Sequence, residues 1–166
     1  MLKKIAIFVV AVIVVFTLAE VSYTANTDFH QVTVTVAAIN ELAITGGNIT
    51  LTINGAVAGS DPTAVNDSTC SLDWTTNQLT RKITVETSVA VPPQLFSLTV
   101  DAAVTLGGGI EPGAAVTLTH GAGASDFITG VATELGAATL TYSASATAAQ
   151  GTGSDVHTVT YTLTAA

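Results

Sequence analysis

Residues 138–166 read ATLTYSASATAAQGTGSDVHTVTYTLTAA, and this stretch decides the fold class. Two alternating runs, Thr139–Thr147 and Val156–Thr164, flank a loop rich in Gly, Ser and Gln. In the second run His157, Val159, Tyr161 and Leu163 share one parity, and Thr158, Thr160 and Thr162 share the other. A period of two places these sets on opposite faces of a β-strand. In the first run Leu140, Tyr142, Ala144 and Ala146 form the inward set. Two such runs around a turn-rich loop predict a β-hairpin with one buried face.

The same alternation recurs upstream. Gln31–Ala38 (QVTVTVAA) places Val32, Val34 and Val36 on one face, and Ile39–Thr45 predicts a second short extended piece. After Gly46-Gly47, Asn48–Asn54 (NITLTIN) turns Ile49, Leu51 and Ile53 inward. Thr69–Thr76 does the same with Cys70, Leu72 and Trp74, and Thr80–Thr87 with Ile83 and Val85. Asn77-Gln78 between them is expected to be a hairpin tip. Gln94–Asp101 follows the break at Pro92-Pro93, with Phe96, Leu98 and Val100 inward; Ala115–Thr119 and Asp126–Val131 are shorter strands. Gly55–Ser68 and Gly107–Gly123 hold the main loops. With no helical stripe after Leu18, the chain reads as all-β. An antiparallel β-sandwich of about eight to nine strands, immunoglobulin-like or jelly-roll in type, is expected, with a closed barrel as the lesser alternative.

Length and composition agree. The chain has 166 residues, enough for one well-cored domain. Charged residues make up 10%, against about a quarter in ordinary soluble domains, so Thr, Ser, Asn and Gly must cover the surface. The β-branched Thr favours extended backbone.

The start of the chain carries a short basic region, Lys3 and Lys4, and then an apolar run from Ile5 to Leu18. That run is shorter than the roughly 20 residues a bilayer span needs and fits a secretory signal peptide. Thr17-Leu18-Ala19 offers small residues for cleavage after Ala19, with Ala25 as the alternative site and an uncleaved anchor as the competing reading. The segment Phe16–Glu20 looks like the start of a mature type IV pilin, but its hydrophobic stretch lies upstream of the motif instead of after it. The organisation expected is therefore a leader over 1–19, a flexible arm over 20–30 and one domain over 31–166. The product is expected to be secreted or on the cell surface, or periplasmic where the source has an outer membrane. No membrane span is expected after cleavage. The last residues carry no sortase-type motif or hydrophobic tail, so attachment to neighbours is expected to be non-covalent.

The net charge is −8, and removal of the leader leaves Arg81 and Lys82 as the strong bases. Nucleic-acid binding requires clustered Lys and Arg and is excluded by this balance.

Residues able to do chemistry are few and carry no recognisable spacing. Cys70 is the single cysteine, so an internal disulfide is impossible, and a buried apolar role is favoured over a reactive or intermolecular thiol. His30, His120 and His157 have no partners at metal-ligand spacing. Asp61, Asp67 and Asp73 lack the spacing of a calcium loop. Glu111 with Glu134 or Asp126 would make a glycosidase pair only if folding joined them. Trp74, on the inward parity, reads as a core residue. Gly107–Gly109 lacks the Lys and Ser/Thr of a phosphate loop. Asn48 and Asn66 head Asn-X-Ser/Thr triplets. Catalytic residues, metals and cofactors are accordingly expected to be none.

In its Thr-rich alternation, low charge and closing pair of runs (QVTVTVAA, then TLTYSASA and HTVTYTLT), the mature chain resembles secreted bacterial surface and fibre-subunit β-sandwiches, including fimbrial-type and biofilm-matrix subunits. The fimbrial disulfide is missing, which counts against a chaperone–usher assignment. The resemblance implies a non-catalytic subunit of an extracellular fibre, matrix or envelope layer, whose partners are further copies or an envelope protein. Val32, Val34 and Val36 would form a strand donated to a neighbour's sheet edge, or the strand pairs within its own domain. The alternative function is a secreted binding module for glycans or an envelope partner, using Gly55–Ser68 and Gly107–Gly123.

Overall fold

A computed structural model of the chain describes residues 26–166. The expected leader, both cleavage points and the first part of the expected arm lie outside the described residues. The chain divides into two units, Met1–Val36 and Ala37–Ala166. Asn26–Val36, the described part of the first unit, has no strand or helix. Val32, Val34 and Val36 are 73%, 83% and 72% exposed. The strand expected over Gln31–Ala38 is therefore absent. Alternation specifies an extended backbone with one apolar face, but a strand also needs a hydrogen-bonded neighbour, which the pattern does not supply.

The second unit contains β1 (Asn40–Thr45), β2 (Val65–Thr76), β3 (Arg81–Val89), β4 (Ser97–Leu106), β5 (Val116–Leu118), β6 (Ser125–Val131), β7 (Glu134–Ser145) and β8 (His157–Ala165), with a 3₁₀ turn at Ala148–Gln150. They form two antiparallel sheets, not a barrel: a five-stranded sheet in the order β1-β2-β7-β4-β5 and a three-stranded sheet in the order β6-β3-β8.

The closing pair of strands corrects the expected hairpin. β7 bonds to β2 and β4, whereas β8 bonds to β3 in the other sheet. Asn77-Gln78 likewise joins strands of different sheets and is no hairpin tip. Of the expected inward sets, Cys70, Leu72, Trp74, Ile83, Val85, Leu98, Val100, Leu140, Tyr142 and Tyr161 are buried in one core fed by both sheets, whereas Phe96, Ala144, Ala146, His157, Val159 and Leu163 are half-buried. Phe127 and Tyr161 pack with ring centroids 5.4 Å apart, tilted by 51°.

Side chains fix several strand limits. Asp155 Oδ2 accepts the N–H groups of Leu95 and Phe96, each at 2.8 Å, and Gln94 Nε2 donates to Phe96 O and Leu118 O. Those backbone groups are thus spent before the ladder starts, and β4 begins at Ser97 instead of Gln94. β2 starts earlier than expected, at Val65, and its register shifts between Asp67 and Cys70. There Asp67 Oδ1 accepts from the N–H and hydroxyl of Thr69 at 2.9 and 2.6 Å, an Asx-type turn within a bulge. Asn48–Asn54, expected as a strand, has no ladder partner, although Ile49 and Leu51 pack against the core.

The registers sort the connections to two ends. Asn40 faces Thr76, Thr76 faces Glu134 and Leu106 faces Ala137, so the β4–β5 connection leaves from the end that carries Asn77. Val65 faces Ala144 and Val89 faces His157 at the other end.

Candidate functional site

The histidine end brings together several polar side chains through part-buried contacts. β3 supplies the buried Thr87 and β8 supplies His157, with His157 Nδ1 3.3 Å from Thr87 Oγ1. His157 Nε2 lies 3.9 Å from Asp155 Oδ2. His120, in the turn after β5, accepts the N–H of Val89 on Nδ1 at 3.1 Å, which fixes the proton of the neutral ring on Nε2. Its own N–H donates to Gln94 Oε1 at 2.8 Å. Burial holds His157 below the ordinary histidine range; Asp155 opposes this and His120 adds to it.

An acid, an imidazole and a hydroxyl in line have the outline of a nucleophilic triad. The 3.9 Å gap between Asp155 and the ring is longer than a hydrogen bond. Asp155 Oδ2 is already engaged by two backbone N–H groups, and the Thr87 hydroxyl also points at Thr158 O, 3.4 Å away. The cluster ties the β3–β4 segment to the β7–β8 connection. Spacing along the chain could not reveal it, because its members come from three separate segments: Thr87, His120 and Asp155–His157.

The other sequence candidates are dispersed. Glu111 accepts from Val104 N at 2.6 Å. Glu134 accepts from Trp74 Nε1 at 3.2 Å and from Gly108 N at 2.7 Å. Asp126 pairs with Lys82 at 2.8 Å on the outer face of the three-stranded sheet. These acids share no hydrogen-bond partner. Asp61 holds Ala148 N at 2.9 Å, Asp67 holds Thr69, and Asp73 sits on the outer face of β2 opposite Ala43 and Ala137. Among the described residues no three His, Cys, Asp or Glu side chains meet as a metal site. Cys70 is buried, its Sγ 3.6 Å from Gly47 O, and Trp74 is in the core. His30 and the glycosylation-type Asn48 and Asn66 are exposed.

Of the loops expected to form a binding face, the stretch 55–64 lies at the histidine end, where Asp61 meets Ala148. The second, Gly107–Gly123, is split by β5: its first part leaves from the Asn77 end, and its last part carries His120 at the histidine end. A depression of about 160 Å³ between β1 and β2, lined by Glu41, Leu42, Asp73 and Trp74, is smaller than the roughly 300 Å³ of an ordinary ligand pocket.

What remains is backbone. Residues 31–36 and Asn48–Asn54 alternate as strands do, precede and follow β1 in the sequence, and make no backbone hydrogen bond among the described residues. β8, nine residues long, bonds to β3 on one side only. These are the features able to form further structure with another chain. No family model matches the sequence, and neither the curated proteins nor the solved structures searched contain a match.

Proposed function

We propose that this chain is an exported, non-catalytic structural subunit of an extracellular fibre, matrix or envelope layer, joined to its neighbours through sheet edges. On this reading the leader is removed after Ala19, and the two sheets are the layers of an immunoglobulin-like or jelly-roll β-sandwich. Residues Gln31–Ala38 are the donated strand, anchored by Val32, Val34 and Val36.

The observation that carries the reading is the exposure of these three valines on an alternating, unladdered backbone directly before β1. An isolated segment of this kind leaves apolar surface and backbone donors in water. Pairing with an open edge removes both: each buried valine is worth roughly 1.5 kcal/mol or more, and each ladder hydrogen bond about 1 kcal/mol. The low charge favours the same use, since few side chains repel a second copy.

Removal of residues 20–36 is the test, because it stops short of Ala37, whose carbonyl is held by Asn77. The exported chain is expected to assemble into oligomers or filaments, seen by light scattering and electron microscopy, and the shortened chain to remain a folded monomer. Assembly that survives the deletion overturns the proposal.

A further inference from the structure

We infer that the acceptor for the donated strand is the Asn48–Asn54 segment of a second copy of this chain. This rests on the reading of Gln31–Ala38 as the donor.

Asn48–Asn54 is an incomplete strand. Ile49, Leu51 and Ile53 are half-buried, and Ile49 and Leu51 pack against the core, while Thr50 and Thr52 are exposed. The apolar parity is thus seated, yet the backbone bonds to nothing on either side among the described residues. The chain reaches this position by leaving the five-stranded sheet at Gly46-Gly47. Gly46 has φ +104°, and the Gly47 carbonyl lies 3.6 Å from the Sγ of the inward-pointing Cys70. The segment therefore runs outside the ladder of the five-stranded sheet, with Ile49 and Leu51 packed against the core.

The donor matches this acceptor in three respects. Its six residues ahead of the Asn77 clamp, 31–36, face seven. Its Val32, Val34 and Val36 repeat the parity of Ile49, Leu51 and Ile53, so Thr33 and Thr35 share the outer face with Thr50 and Thr52. Neither segment contains a charged residue, so pairing buries no charge.

The other edges are less suited. β1 carries Glu41, β5 has three residues, and β6 is closed by a two-bond bridge between Ile110 and Thr129. β8 is the one rival, but it already has β3 beside it, so a donor there merely adds a fourth strand.

The donor comes from another copy because of how the chain enters β1. Asn77 Nδ2 donates to Ala37 O at 2.7 Å, Ile39 N donates to Asn77 Oδ1 at 2.8 Å, and Asn77 N donates to Ile39 O at 3.3 Å. These bonds hold Ala37–Ile39 extended at the end of β1 farthest from Gly46, and β1 spans about 20 Å. Pairing within one copy would require the chain to reverse inside this clamp.

The test uses the full exported chain. Thr33→Cys or Thr35→Cys chains are mixed with Thr50→Cys or Thr52→Cys chains under mild oxidation, while the native Cys70 stays buried. One pairing is expected to yield an intermolecular disulfide at least tenfold above the others, as directly opposed residues do. Thr52→Pro, which removes a backbone N–H that bonds to nothing among the described residues, is expected to lower assembly at least tenfold with the thermal midpoint retained. Cross-linking of the arm to Thr160→Cys on β8 instead, with assembly intact in Thr52→Pro, overturns the assignment of the acceptor. If assembly in that case still depends on residues 20–36, the donor reading stands without it. Assembly independent of those residues, or a chain that stays monomeric, overturns both.

Discussion

The Oη atoms of Tyr142 and Tyr161 lie 2.9 Å apart in the buried core. Tyr142 belongs to β7 in the five-stranded sheet and Tyr161 to β8 in the three-stranded sheet, so this bond links the sheets across the core. Each hydroxyl serves as the other's partner. Tyr161→Phe therefore strands the Tyr142 hydroxyl, at about 1–3 kcal/mol in urea unfolding, whereas the double change to Phe removes both groups and costs less than either single change.

The same pair sets an alkaline limit on stability. Burial raises both hydroxyls above the usual tyrosine value of 10.0, most strongly Tyr161, where the Tyr142 charge adds to burial. The folded state therefore holds protons that the unfolded chain releases. Stability is full below pH 10 and falls above it as the unfolded tyrosines ionise. Unfolding midpoints measured from pH 8 to 11 are expected to show this fall, and the double Phe chain to show a flatter limb.

This link also marks how far the sequence could be read. Alternation in residues 138–166 identified which side chains are buried, because face and parity are local properties. It did not identify which strands bond, because an inward tyrosine satisfies the same pattern beside its sequence neighbour or across the core from it. Asn48–Asn54 and Gln31–Ala38 show the same limit. Their composition specifies extended backbone, and the missing element is a partner. The polar cluster around His157 was illegible for a third reason: Thr87, His120, Asp155 and His157 meet only after several crossings between the sheets.

At that cluster the acid response has the opposite sign. His157 is held below 6.5, first by burial, with Asp155 opposing and His120 adding. The unfolded chain therefore binds a proton more readily than the folded one. The contribution is present above pH 6.5 and is lost as the pH falls through the folded value. His157→Gln is expected to flatten the decline in thermal midpoint between pH 7 and 5. An unchanged slope would place the acid sensitivity elsewhere.

Asp155 carries the mechanical part of the same cluster. Its Oδ2 accepts from two successive backbone N–H groups, a charge-assisted arrangement. Asp155→Ala is expected to cost about 1.5–3 kcal/mol in urea unfolding. Asp155→Asn, which retains one acceptor oxygen, is expected to cost less. Amide exchange at Leu95 and Phe96 should accelerate in the same order.

Gly136 tests the other end of the core. It faces Trp74 across the β2–β7 ladder, and a Cβ there would overlap the indole ring. That ring is held in turn by Glu134, through the Nε1 bond of 3.2 Å. Gly136→Ala must displace the indole, and with it the donor of this bond. A loss of about 1–3 kcal/mol is expected, typical of overpacking. Trp74 is the sole tryptophan, so its emission reports the displacement directly: a red shift in the folded Gly136→Ala chain, relative to the parent, is the result that places the cost at this contact.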